Sequence, residues 1–177
     1  MIGDGMGLSQ MYSGLTANKG NLNIERCQFV GLSKTQSADN YVTDSAAGGT
    51  AIACGSKTNN GVIGMDADST HLKSLLEYAA EHGLSTGIVV SCDVTHATPA
   101  SFIAHQVSRN MAEEIAADYL KTDFTVVIGG GRQRFENRTD KLNLTDSLKM
   151  KGYQVAYDMD EVNKTRGTET SQRTGTN

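Results

Sequence analysis

Two short apolar runs, Gly87-Ile88-Val89-Val90 and Thr125-Val126-Val127-Ile128, constrain the fold more than any other feature of the chain. Each reads as a short strand, and the first has the pattern of one buried on both faces in a parallel sheet. Parallel strands need a crossover, and helical periodicity surrounds both runs, so the expected class is α/β. Helices are expected over Leu8–Ala17, with Met11, Tyr12 and Leu15 in period and Gly20 as a stop, and over the Ala-rich Ser45–Cys54, closed by Gly55. Others are expected over His71–His82, from Pro99 through Phe102, Ile103 and His105, over Asn110–Leu120, and over Leu144–Lys151. Gly129-Gly130-Gly131 should stop the second strand, and Tyr153–Tyr157 reads as a last one. From Asn163 onward the residues are polar and cannot bury a core, so 163–177 reads as a mobile or truncated segment.

Composition excludes several functions. The 177 residues carry a net charge of −4 and no long basic run, so there is no electrostatic footprint for nucleic acid. No stretch approaches the ~20 apolar residues of a membrane span. Cys27, Cys54 and Cys92 are odd in number and form no C-x-x-C, against a zinc ribbon or a disulfide framework. Nineteen glycines stand beside a single proline, which suits tight turns and close backbone approaches inside a folded domain.

Three segments can carry chemistry. Gly3-Asp4-Gly5-Met6-Gly7 sets a carboxylate between glycines just before a helix. Its spacing misses the dinucleotide pattern G-x-G-x-x-G, leaving either a turn with Asp4 as a helix cap or a hard-cation ligand at a strand end. In Thr43-Asp44-Ser45-Ala46-Ala47-Gly48-Gly49-Thr50, Asp44 and Ser45 are ordinary cap residues. The same geometry offers unpaired N–H groups and a positive dipole to an anion, with a serine able to attack it. No G-x-S-x-G exists and no histidine is near, so a metal ion is the remaining common way to activate Ser45.

Ser91-Cys92-Asp93-Val94-Thr95-His96-Ala97-Thr98-Pro99 follows the first strand, where open α/β sheets gather ligands. Asp93, His96 and Thr98 are therefore candidates, although polar loops of this kind are often only loops. Arg109 offers the planar fork that binds two phosphate oxygens. The other histidines read as structural. Asp68 or Ser69 caps a helix ahead of His71, His82 sits at a helix end, and His105 packs among apolar residues through hydrogen bonds. The chain has no P-loop spacing.

In this order, Ile2-Gly3-Asp4-Gly5-Met6-Gly7, Tyr41-Val42-Thr43-Asp44-Ser45-Ala46-Ala47, His96-Ala97-Thr98-Pro99-Ala100 and Val107-Ser108-Arg109 resemble the amino-terminal part of an alkaline phosphatase over residues 2 to about 160. The resemblance implies a three-layer sandwich: a mostly parallel central sheet with helices on both faces, of which 1–162 supply the amino-terminal part. It implies a phosphomonoesterase using two zinc ions and one magnesium ion. Asp4 would bridge a zinc and the magnesium, and Ser45 would be the phosphorylated nucleophile and meet that zinc. Thr98 would bind magnesium, and Arg109 would grip phosphate with Asp44 holding its guanidinium. His96 stands where some members carry Asp, near the magnesium and its waters. Phosphate monoesters as substrates, a homodimer and a periplasmic or extracellular location are further implications, though no signal peptide is visible. The family's Asp-x-x-x-His and Asp-His zinc ligands do not occur here, so they are expected outside these residues, and the 177 residues alone are expected to be inactive. A phosphodiesterase or sulfatase of the same superfamily is the alternative enzyme, and a non-catalytic fragment the alternative of another class.

Overall fold

The computed structural model describes residues 1–165. Its helices are α1 (Leu8–Ala17), α2 (Ser45–Cys54), α3 (Leu75–Glu81), α4 (Ala97–Ala100), α5 (Ala112–Asp118), α6 (Arg132–Glu136), α7 (Leu144–Met150) and α8 (Met159–Thr165). The strands are β1 (Gly87–Asp93) and β2 (Val126–Gly130), and a short 3-10 turn spans Asn23–Arg26.

The two apolar runs pair in parallel as expected, with Gly87 opposite Val126, Ile88 opposite Val127 and Val89 opposite Ile128. Beyond that point the register slips, and β1 takes four steps to reach Asp93 while β2 takes two to reach Gly130. The expectation of cover on both faces is corrected. Ile88 is buried, and Val90 and Val127 pack against the same core, but Val89 is 69% exposed and Ile128 and Val126 are also open. Alternation sends these side chains to the opposite face, and among the described residues no helix layer covers it.

One core lies behind the sheet. Ile88 and Val94 pack with Ile63, Leu76, Ile103, Ile115, Tyr119, Phe135, Leu144 and Leu148. Tyr119 is 1% exposed and donates its hydroxyl to the Val94 carbonyl at 2.7 Å, tying α5 to the end of β1. Its ring meets Phe124 and Phe135 edge-on. No helix among the described residues is long and apolar enough to cross a membrane.

Helix ends follow local chemistry. α1 and α2 run as expected, with Gly55 at φ 72° closing α2. α7 begins where Asn143 accepts the amides of Thr145 and Asp146. The helix expected over 71–82 begins only at Leu75, because Ser74 and Glu77 form a capping box. Asp66 instead caps the turn before it, accepting the amides of Asp68 and Thr70. The helix expected from Pro99 onward is also corrected: Pro99 lies in the first turn of α4, which ends at Ala100, and Phe102 to His105 follow as a turn and loop.

Gly129 and Gly130 continue β2 rather than stopping it, since a Cβ on Gly129 would lie 2.6 Å from Val94 Cγ1 and 2.7 Å from Val90 Cγ2. Gly131, at φ 98°, makes the turn into α6. Tyr153–Tyr157 forms no strand. Tyr153 stacks on Phe124 at 4.4 Å and accepts the Phe124 amide on its hydroxyl, which directs this segment by side-chain packing instead of a ladder. The expected boundary at residue 162 falls inside α8, and the remainder of 163–177 beyond residue 165 lies outside the described residues.

Candidate active site

Asp44 is the N-cap of α2. Its backbone is extended and its Oδ1 accepts the Ala47 amide at 2.9 Å, which makes Ser45 the first helical residue. The first-turn amides of a helix have no carbonyl of their own to pair with, so this ten-residue helix aims partial positive charge at the space before Ser45. Small residues set where the helix lies. Ala46, Ala47, Gly49, Thr50 and Ala53 are buried, and Gly49 faces Ser101 and the Thr98 Cα of α4. Ser101 donates to the Ala97 carbonyl at 2.8 Å and lies 3.3 Å from the Ala46 carbonyl, so α2 and α4 meet through a polar seam.

Arg109 reaches the same N-terminus. Its Nη1 donates to Asp44 Oδ2 at 3.0 Å and lies 3.3 Å from Ser45 Oγ. The Gly61 amide donates to Asp44 Oδ2 at 3.0 Å, so three donors converge on one carboxylate. Burial raises the Asp44 pKa, but the Ala47 amide, the Arg109 guanidinium and the Gly61 amide together outweigh it and hold the carboxyl below its ordinary value. Both side chains of the pair are about one-quarter exposed, which leaves the guanidinium open to a ligand.

The Gly3–Gly7 turn comes from a remote part of the chain. Gly5 adopts φ 65°, and the Met6 amide closes the turn on the Gly3 carbonyl at 3.2 Å. Asp4 does not cap α1, whose N-cap is Gly7. Instead its Oδ2 accepts the Thr98 hydroxyl at 2.7 Å, across 94 residues. A carboxylate and a hydroxyl oxygen side by side match the hard-oxygen preference of magnesium, which keeps several waters and needs few protein ligands. Zinc is different: structural and catalytic sites take three or four protein ligands. Among the described residues no three His, Cys, Asp or Glu side chains converge, so this donor set does not fit the zinc pair.

The remaining candidates have other partners. Asp93 Oδ1 accepts both the amide and the hydroxyl of Thr95, and its Oδ2 lies 3.9 Å from Arg134. His96 is the exposed N-cap of α4 and makes no side-chain capping bond. His105 is structural as expected: Nδ1 faces the Gly64 carbonyl at 2.7 Å and Nε2 faces Glu77 at 3.0 Å. His71 stacks on it at 4.8 Å, while His82 closes α3 and bonds the Tyr78 carbonyl. Residues not singled out from the sequence are Asn60 and Gly61, which hold Asp44; Asn-Gly is a turn signal, and it carried no hint of this partner.

The alkaline phosphatase family model matches residues 1–174. Alkaline phosphatase 4 of Bacillus subtilis is 40% identical over 168 residues, covering 86% of this chain and 36% of its own length. Alkaline phosphatase 3 of the same organism is 39% identical over 183 residues, covering 96% and 39%. Among solved structures, alkaline phosphatase from the Antarctic bacterium TAB5 superposes with a TM-score of 0.85 and 42% identity, over 88% of this chain and 46% of that one. A variant of the TAB5 enzyme with one histidine replaced by aspartate, solved with magnesium in its M3 site, gives a TM-score of 0.84 with 40% identity over 90% and 47% of the two chains. The chain thus spans little more than a third of the length of these curated relatives.

Proposed function

From the premise that this chain belongs to the alkaline phosphatase family, we propose that it supplies the nucleophile and the phosphate grip of a phosphate monoester hydrolase. One observation carries the reading: Arg109 Nη1 bridges Asp44 Oδ2 and Ser45 Oγ at the N-terminus of α2. That arrangement pairs a nucleophilic oxygen with a guanidinium and helix amides, the donors a phosphoryl group needs on its equatorial oxygens.

Ser45 Oγ would attack phosphorus in line with the ester oxygen. The Ser45 O–P bond forms as the ester P–O bond breaks, and the alcohol leaves with a proton. Water then attacks phosphorus opposite Ser45, on the side the alcohol vacated; the new O–P bond forms as the Ser45 O–P bond breaks, inorganic phosphate leaves and Ser45 regains its proton. Arg109 holds two phosphoryl oxygens through both half-reactions, and Asp44 keeps the guanidinium from swinging into solvent. Positive charge beside developing negative oxygens is worth most where water is partly excluded.

Asp4 and Thr98 would hold magnesium, with His96 beside its waters, and a cation there adds charge stabilisation for the reacting oxygens. Among the described residues, Asp4 and Ser45 are the ones the resemblance would give to the zinc pair, so no step here runs through zinc. A homodimer and a periplasmic or extracellular location remain proposals from the family resemblance.

Ser45→Ala tests the assignment. In the complete protein, supplied with zinc and magnesium, the substitution should abolish release of phosphate from an aryl phosphate and all covalent labelling by phosphate. Labelling retained in the variant would overturn the role of Ser45. Comparison of monoester, diester and sulfate ester turnover separates this reading from a phosphodiesterase or sulfatase.

A second reading is favoured by the lack of converging metal donors among the described residues: an anion-binding unit without turnover. Tight stoichiometric zinc with phosphatase activity in these 177 residues would refute it.

A further inference from the structure

We propose that Asn60 is a positioning residue of the phosphate grip, holding Asp44 and, through Asp44, the Arg109 guanidinium in register with Ser45. The proposal deepens the phosphatase reading and rests on it.

The side-chain amide of Asn60 acts like an extra peptide unit laid across the nucleophile loop. Its Oδ1 accepts the Asp44 amide at 2.9 Å, and its Nδ2 donates to the Val42 carbonyl at 2.9 Å. The two bonds flank Thr43 and fix the extended backbone that Asp44 needs as an N-cap. Asn60 is itself anchored, since its backbone amide donates to Asp39 Oδ1 at 2.9 Å, and Ser37 donates to the same oxygen at 2.9 Å.

The next residue completes the device. The Gly61 amide donates to Asp44 Oδ2 at 3.0 Å, and the Gly61 carbonyl accepts the Arg109 backbone amide at 2.7 Å. Asn60-Gly61 therefore holds both partners of the ion pair, one by its backbone and carboxylate and the other by its backbone. Antiparallel pairing of Ile63 with Gln106, through two bonds of 2.9 and 3.0 Å, continues the connection toward the core. Asp44 and Arg109 are 65 residues apart in sequence, and this turn is what relates one to the other.

Such an anchor matters because a guanidinium displaced by about 1 Å can cost on the order of a hundredfold in rate. Glycine at 61 leaves the close backbone approach open at φ 87°, and Asn60 supplies the two polar contacts that a peptide would otherwise make. An ordinary turn residue at 60 predicts a loss of stability alone; a positioning residue predicts a loss that depends on Arg109.

Asn60→Ala in the complete protein should weaken inhibition by inorganic phosphate and raise KM for an aryl phosphate by about tenfold, the factor expected for roughly one net hydrogen bond. In an Arg109→Ala background the same substitution should change neither quantity. Nitrogen-15 spectra of the Arg109 guanidinium give a readout independent of turnover: slow rotation about Cζ–Nη in the unsubstituted protein, and averaged signals in Asn60→Ala. Asn60→Asp, which keeps the acceptor for the Asp44 amide but sets a carboxylate against the Val42 carbonyl, should fall between the two and guards against a variant that fails to fold. Equal losses in both backgrounds, or an unchanged guanidinium spectrum in folded variants, overturn the proposal. If the unsubstituted complete protein neither binds phosphate nor turns over ester, the phosphatase reading fails by itself, and the spectrum still decides the positioning role.

Discussion

Gly49→Ala should destabilise the protein although alanine is the better helix former. A Cβ at this position would lie 2.7 Å from Ser101 Oγ, 3.1 Å from Ser101 Cβ and 3.6 Å from the Thr98 Cα. In a helix interior, alanine gains about 1 kcal/mol over glycine. Against that gain stands overpacking, which costs roughly 1–3 kcal/mol in a well-packed core. Ser101 has 0% exposure, and its hydroxyl is committed to the Ala97 carbonyl at 2.8 Å, so turning away forfeits about 1 kcal/mol more. Rotation also leaves the Cβ contact in place, because Ser101 Cβ does not move with its own rotamer. The net expectation is a destabilisation of about 1–3 kcal/mol.

Urea unfolding followed by circular dichroism should therefore show a lower midpoint with an unchanged slope. The companion double variant Gly49→Ala/Ser101→Ala loses the oxygen at 2.7 Å. It should be less destabilised than the sum of its parts by about 1 kcal/mol, since residues in contact do not add. An increase in stability of about 1 kcal/mol in Gly49→Ala would mean that helix propensity wins and that α2 and α4 are not in close contact. Strict additivity would equally refute the steric argument. The seam has functional weight, because α2 carries Ser45 and α4 carries Thr98.

Two further outcomes follow from buried polar groups. The hydrogen bond to Glu77 and, against the cost of burial, the Gly64 carbonyl and the charges of Glu77 and Asp118 hold the His105 pKa above its ordinary 6.5. Burial pushes Glu77 up, but His105 and Ser74 overcome it and hold Glu77 at about 2 against an ordinary 4.5. The stability from His105 is complete below pH 6.5 and is lost as pH rises through its raised folded value; that from Glu77 is present above 4.5 and is lost as pH falls toward 2. Chemical denaturation across pH should show both limbs, and Glu77→Gln should flatten them; unchanged limbs in that variant would sink the pair as their cause. Tyr119→Phe leaves the buried Val94 carbonyl without its 2.7 Å donor, so urea unfolding should register a loss of about 1–2 kcal/mol. No loss would mean that the carbonyl finds another partner.

Much of the local structure was legible in the residues themselves. Asp44 before an Ala-rich stretch and Gly55 after it act through bonds that span three or four positions, so the helix ends they make could be read directly. The apolar runs at 87 and 125 likewise determined a parallel pair, because short strands flanked by helical patterns have few other arrangements. The motif order pointed to the family, and the structure sets Arg109 Nη1 3.0 Å from Asp44 Oδ2.

Tertiary structure decided what local signals cannot reach. Periodicity extended the helix at 71–82 too far back, because the capping box of Ser74 and Glu77 overrode it. The strand reading of 153–157 gave way to stacking between Tyr153 and Phe124. Apolar composition likewise did not reveal that one face of β1 is open, since the cover on a strand comes from other elements. Asp4 meets Thr98 across 94 residues, and Asn60 meets Asp44 through a turn whose sequence says only that it turns. A cap or an apolar run is settled by neighbours within a few bonds. A hydrogen bond between distant residues exists only once packing has overcome the chain entropy of bringing them together.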